Sequence, residues 1–170
     1  MRIIRSTTCI LICVVIILLV VLHIHERLHS VEVCYRYLSR DFMIDIDRDG
    51  CQPEWYELDA GRDDIAVIKM RVNQGYVEQV KCLFNHSAFM CQIDEYPEII
   101  QEVAGLANYA YSRHGSSEFT NIQTFKESLV NSEYVLLRTS KQRRETVFII
   151  AWIDGDAHAI YIVKSEIYDE

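Results

Sequence analysis

Residues 147–153 read VFIIAWI and are apolar at every position. A strand with one face in water alternates apolar and polar residues, whereas a strand covered on both faces is apolar throughout. The stretch therefore predicts an interior strand of a sheet that carries helices on at least one face. Asp154-Gly155 follows it at once, and this dipeptide is typical of the tight turn of a β-hairpin.

Further strands are predicted on both sides of this stretch. Residues 134–139, 146–153 and 157–164 are rich in β-branched and aromatic side chains. The polar residues 140–145 and the Asp154-Gly155 turn separate them. The pattern predicts a C-terminal block of three antiparallel strands.

Two helices are predicted before this block. Pro97 is typical of a first helical position, apolar residues recur at helical spacing after it, and Gly115 marks a stop, so we expect a helix over residues 97–113. Thr120 and Gln123 form a capping-box pattern that predicts a second, shorter helix.

A three-stranded meander is predicted nearer the N-terminus, over residues 65–72, 76–84 and 88–93. If the second hairpin closes at His86-Ser87, Cys82 lies opposite Cys91 at a Cα separation of about 4.5 Å, which a disulfide can bridge. The remaining pairing is Cys34 with Cys51. Four cysteines allow three connectivities, so the alternatives stay open.

The order helix, strands, helices, strands predicts an α+β fold with one core. Residues 45–57, which contain Gly50 and Pro53, are expected to form a polar loop. We divide the 170 residues into three parts: an N-terminal tip and anchor (1–24), an amphipathic extension of the anchor helix (25–44) and the α+β domain (45–170).

The anchor is predicted from the uncharged run between Arg5 and Glu26, which includes CILICVVIILLVVL at residues 9–22. About 20 helical residues suffice to cross a hydrocarbon core of about 30 Å. Arg2 and Arg5 favour a cytoplasmic N-terminus, with residues 6–24 in the membrane. A cleaved signal peptide is the alternative, although no Ala-x-Ala-like site follows the run.

The apolar stripe continues past the anchor at spacings of three and four, which predicts a helix that enters the domain core. Its members are Leu28, Val31, Tyr35, Leu38 and Phe42. Beyond the anchor the cysteine number is even, as in disulfide-stabilised domains of oxidising compartments. We therefore expect a periplasmic, lumenal or extracellular domain, where Asn85-His86-Ser87 is a glycosylation acceptor pattern in a eukaryotic host.

His25-Glu26-Arg27-Leu28-His29 carries the His-Glu-x-x-His pattern. It resembles the active-site helix of zincin metallopeptidases, which implies His25 and His29 as zinc ligands and Glu26 as the general base. A third protein ligand is not identified by the pattern. The alternative is that these side chains are polar residues at the membrane boundary.

Asp45, Asp47 and Asp49 alternate and are followed by Gly50, which resembles the first half of an EF-hand calcium loop. The resemblance implies a calcium ion held by the three carboxylates. The twelfth position of the loop is Tyr56 where that family has glutamate. A solvated acidic turn is the alternative.

The charge balance, 25 acidic against 17 basic residues, argues against a nucleic-acid partner. The sequence contains no Gly-x-Ser-x-Gly elbow and no glycine-rich phosphate loop. We therefore expect a single-pass membrane protein that binds or assembles with another protein, without catalysis or a required cofactor. A zinc peptidase and a calcium-stabilised binding module are the two alternatives.

Overall fold

The computed structural model describes residues 14–21, 31–58, 65–114, 122–142, 145–156 and 158–168. The chain divides into two compact units, Met1–Val33 and Cys34–Glu170. In the first unit residues 14–21 are helical. None of the helices within the described ranges is both long and apolar enough to cross a membrane.

The second unit is built on a five-stranded antiparallel sheet, which confirms the α+β class. Its strands are β1 (Cys51–Leu58), β2 (Ala66–Val72), β3 (Val135–Gln142), β4 (Glu145–Asp154) and β5 (Ala159–Tyr168). They lie in the order β1-β2-β5-β4-β3. The predicted C-terminal three-stranded block is confirmed, and β4, which contains residues 147–153, is paired on both sides as its apolar sequence indicates.

Helices cover both faces of the sheet. Three of them are α1 (Val77–Asn85), α2 (Pro97–His114) and α3 (Ile122–Val130), of which α2 and α3 confirm the two helices predicted between the strand groups. A π-helical turn, Tyr37–Asp41, precedes β1. The turn follows helical residues 34–36. Leu38 of the turn and Phe42 directly after it are buried in the core.

Each face of the sheet has its own apolar cluster. Phe148, Ile150 and Trp152 of β4 lie in the cluster that contains buried residues of α2 and α3. Ala151 and Ile153 lie in the opposite cluster, together with buried residues of α1 and of the segment before β1. Alternate residues of a strand point to opposite faces, so burial of both faces explains why β4 has no polar face.

The predicted meander is wrong in its second and third strands. Residues 77–85 form α1, and residues 88–92 form a turn and loop in which Met90 makes a single bridge with Leu136. Val80 and Phe84 are both buried, and a spacing of four places two residues on one face of a helix as well as of a strand. Cys82, between them, is exposed, which fits a helix and not the predicted strand.

The predicted polar loop at residues 45–57 is also partly wrong, because Cys51–Leu58 forms strand β1. β1 pairs only with β2, and its register shifts between Pro53 and Trp55. Proline is tolerated in an edge strand and at a bulge, where its missing N–H leaves no ladder bond broken. Pro53 is therefore compatible with an edge strand, although proline in a sequence is also typical of a loop.

Candidate functional site

The predicted zinc residues His25, Glu26 and His29 lie outside the residues that the structure describes. Within the described ranges, no group of three or more histidine, cysteine, aspartate or glutamate side chains is arranged to hold a metal ion. Asp45, Asp47 and Asp49, the predicted calcium ligands, are described and are all exposed.

The loop that carries these aspartates is closed by its own hydrogen bonds. The Asp47 carbonyl accepts bonds from the N–H groups of Gly50 (3.1 Å) and Cys51 (3.0 Å). The Asp47 carboxylate accepts the N–H of Asp49 at 3.0 Å. Asp47 thus shapes the turn that leads into β1.

The same loop is tied to the residues before α1. Asn73 donates its side-chain N–H to the Asp49 carbonyl (2.7 Å) and its backbone N–H to the Gly50 carbonyl (2.8 Å). The hydrogen bond between Tyr76 and the Asp47 carboxylate raises the pKa of the tyrosine. Asp47 and Asp49 therefore have structural roles in the described fold.

Among the described residues, the structure joins none of Cys34, Cys51, Cys82 and Cys91 in a disulfide. The register that placed Cys82 opposite Cys91 is wrong because Cys82 lies on α1 rather than on a strand. The predicted pair Cys34 and Cys51 is buried in one core cluster, and the Tyr35 hydroxyl donates to the Cys51 carbonyl at 2.7 Å. Both pairings stay predictions.

Burial controls the acidity of three of these thiols. It raises the pKa of Cys34 to about 12 and those of Cys51 and Cys91 to about 11. Cys82 is exposed on α1, where its Sγ lies 3.6 Å from Nδ1 of His86. That nitrogen is also 2.7 Å from the Cys82 carbonyl.

A polar cleft of about 580 Å³, which we call the Asp154 cleft, opens at one end of the β3–β4 hairpin. It lies between the C-terminal half of α3, the residues that enter β3 and the turn after β4. Its described lining is Lys81, Glu127, Ser128, Asn131, Ser132, Glu133, Tyr134, Ile153, Asp154, Gly155 and Asp156.

Two serines fix the walls of this cleft. The buried Trp152 indole donates to the Ser128 hydroxyl at 3.1 Å, and that hydroxyl donates to the Asp154 carboxylate at 2.8 Å. The Ser132 hydroxyl donates to the Ile153 carbonyl at 2.8 Å and accepts the Tyr134 N–H at 3.2 Å. The serines therefore join α3, β3 and β4 at the cleft.

A second cleft of about 630 Å³, the Met90 cleft, adjoins the first. It is lined by Met90, Cys91, Gln92, Ile93, Asp94, Val130, Ser132 and Glu133. Ser132 and Glu133 line both clefts, so the two form one continuous surface. We call the two together the joined groove.

Sequence reasoning did not predict the joined groove. The sequence predicts a hairpin turn at Asp154-Gly155, and the structure has this turn, in which Asp154 accepts the Asp156 N–H at 3.1 Å. The groove is formed where segments around positions 81, 92, 130 and 155 come together in the fold, and no local sequence pattern indicates it.

No family model, curated protein or solved structure matches the chain.

Proposed function

We propose that the protein is a single-pass membrane protein that displays its α+β domain outside the cytoplasm, where the domain binds another protein without catalysing a reaction. The observation that carries this proposal is the helix of residues 14–21. All eight residues are valine, isoleucine or leucine, and each is between 47% and 61% exposed.

Eight residues make more than two turns of an α-helix, so these side chains surround its whole circumference. A helix that is apolar on every side requires an apolar environment on every side. Lipid supplies such an environment, and the helix lies within the uncharged run that the sequence extends from residue 6 to residue 25. Arg2 and Arg5 support a cytoplasmic N-terminus.

The described lining of the Asp154 cleft contains no serine–histidine pair, so it offers no support for nucleophilic catalysis by such a pair. The described hydroxyls that line it belong to Ser128, Ser132 and Tyr134. Ser128 donates its hydroxyl to the Asp154 carboxylate, and Ser132 donates its hydroxyl to the Ile153 carbonyl. No histidine is among the described residues of its lining. A serine nucleophile requires an adjacent general base, a role that histidine fills most often.

The membrane part of the proposal is tested by alkaline extraction of membranes from cells that express the full chain. We expect the wild type to remain in the membrane pellet. The variant Ile16→Asp/Leu19→Asp should move to the soluble fraction or fail to accumulate, because each aspartate near the centre of a membrane helix costs about 2.5–3.5 kcal/mol.

The matched control is Met43→Asp/Met90→Asp, which makes the same change at two other exposed apolar positions. This control should stay in the pellet like the wild type. Release of the wild type by alkaline buffer, or equal release of both variants, contradicts the proposed anchor.

A further inference from the structure

The joined groove is acidic. The described residues of its two linings carry the carboxylates of Asp94, Glu127, Glu133, Asp154 and Asp156 and one ammonium group, that of Lys81. That ammonium forms an ion pair with Glu78 at 2.8 Å. Among the described residues, no lysine or arginine makes an ion pair with Asp94, Glu133 or Asp156, so the groove offers negative charge to a ligand.

The groove also exposes apolar side chains beside these carboxylates. Within residues 34–170 the large apolar side chains that are described as exposed are Met43, Met90 and Val130. Two of the three, Met90 at 39% and Val130 at 45%, line the Met90 cleft. Exposed apolar groups rimmed by charge are typical of protein-binding surfaces, and methionine adapts its shape to a partner.

The walls of the groove are held in place before any ligand binds. The Cys91 N–H donates to the Val135 carbonyl and the Leu137 N–H donates to the Phe89 carbonyl, both at 2.9 Å. The Met90 segment is thereby fixed to the edge of β3, while Ser128 and Ser132 fix the other cleft. A surface ordered in advance loses less conformational freedom on binding.

We propose that the joined groove binds a segment of a partner protein in which apolar side chains alternate with lysine or arginine. The apolar side chains pack against Met90 and Val130, and the cations lie against Glu133 and Asp156. Charge complementarity is the reason for this choice of ligand. The inference deepens the proposed function, on which it rests, by giving the chemical class of the partner.

The test uses the full chain in nanodiscs of zwitterionic phospholipid and three fluorescent 12-residue probe peptides. One alternates leucine and lysine, one alternates serine and lysine, and one alternates leucine and glutamate. Anisotropy titrations should show tightest binding of the leucine-lysine peptide. Empty nanodiscs give the contribution of the lipid.

Glu133→Gln/Asp156→Asn removes two carboxylates from the groove. The matched control, Asp45→Asn/Glu98→Gln, removes two exposed carboxylates elsewhere, so both variants change the net charge from −8 to −6. Because two exposed charge pairs are lost, we expect roughly 2- to 30-fold weaker peptide binding by the groove variant and little change in the control. Met90→Gln should also weaken binding.

Equal binding of the leucine-glutamate peptide, or equal weakening by both charge variants, overturns the inference. Saturable self-association that occupies the groove and excludes the peptide overturns it as well. The groove variant should remain in the membrane pellet on alkaline extraction. Absence of peptide selectivity in the wild-type protein, with intact membrane retention, refutes this inference alone, whereas release of the wild type from membranes refutes the proposed function.

Discussion

At the scale of single residues, Gly50 shows how the acidic loop is joined to the fold. A Cβ atom at this position would lie 2.4 Å from Cδ1 and 2.5 Å from Cγ of Tyr76. The hydroxyl of the same tyrosine is hydrogen-bonded to the Asp47 carboxylate, so displacement of the ring would disturb the turn that begins β1. Glycine is needed here because of the close approach of the ring.

Gly50→Ala should therefore lower the free energy of unfolding by about 1–3 kcal/mol, the usual cost of overpacking. Gly105→Ala is the matched control, since Gly105 lies within α2 and a Cβ there meets no atom within 4 Å. Alanine inside a helix is favoured over glycine by about 0.8–1 kcal/mol, so the control should be stabilised. Urea unfolding of both variants measures the difference, and equal stability of Gly50→Ala and wild type contradicts the close packing.

The cysteines should differ in reactivity. After reduction, a short exposure to N-ethylmaleimide at pH 8 should modify Cys82 first, because its side chain is exposed. Cys34 and Cys51 should react only after unfolding, since they are buried and their pKa values are raised to about 12 and about 11. The thiolate is the reactive form.

Peptide mapping by mass spectrometry measures the order of modification. Faster labelling of Cys34 than of Cys82 in the folded protein contradicts the described core. The same mapping without reduction tests the predicted disulfides, because a Cys34–Cys51 bridge appears as a linked pair of peptides.

At the scale of elements, the sequence predicts those segments whose signals are unambiguous. Pro97 marks the start of α2, the fully apolar residues 147–153 identify an interior strand, and Asp154-Gly155 identifies the turn after it. For β4 the local signal and the tertiary environment agree, because residues on both of its faces are buried.

The wrong predictions come from segments whose local pattern fits two structures. Val80 and Phe84 share a face in a helix and in a strand, and the burial of Val80 and Phe84 with Cys82 exposed becomes visible only in the folded domain. Pro53 argues against an interior strand but not against an edge strand, and the edge position of β1 is a property of the whole sheet.

Phe84→Ala tests the assignment of α1 to the core. Phe84 is fully buried in the cluster with Val80, and loss of a buried phenylalanine side chain costs about 3–5 kcal/mol. Glu78→Ala is the control on the same helix, where the exposed ion pair with Lys81 contributes at most about 1 kcal/mol.

Thermal or urea unfolding followed by circular dichroism gives both values. A loss below 1 kcal/mol for Phe84→Ala, or a larger loss for Glu78→Ala, is incompatible with the described packing of α1.

At the scale of the whole molecule, the α+β domain and the helix of residues 14–21 differ in where their apolar side chains lie. The sheet of the domain is covered on both faces, whereas every residue of the helix at 14–21 presents apolar surface. The proposed membrane anchor accounts for the exposed apolar surface of this helix, and the joined groove gives the domain a binding surface. The segments that line the joined groove are distant in the sequence, so no local motif predicts the groove.

Glycosylation at Asn85 tests the proposed anchor and orientation together. Asn85 is exposed at the end of α1 and belongs to the acceptor pattern Asn85-His86-Ser87. When the full chain is translated with endoplasmic reticulum microsomes, the account predicts a membrane-bound product that carries one glycan. The glycan should be absent from the Asn85→Gln variant and from the Ile16→Asp/Leu19→Asp variant. A wild-type product that carries no glycan and remains soluble would contradict it.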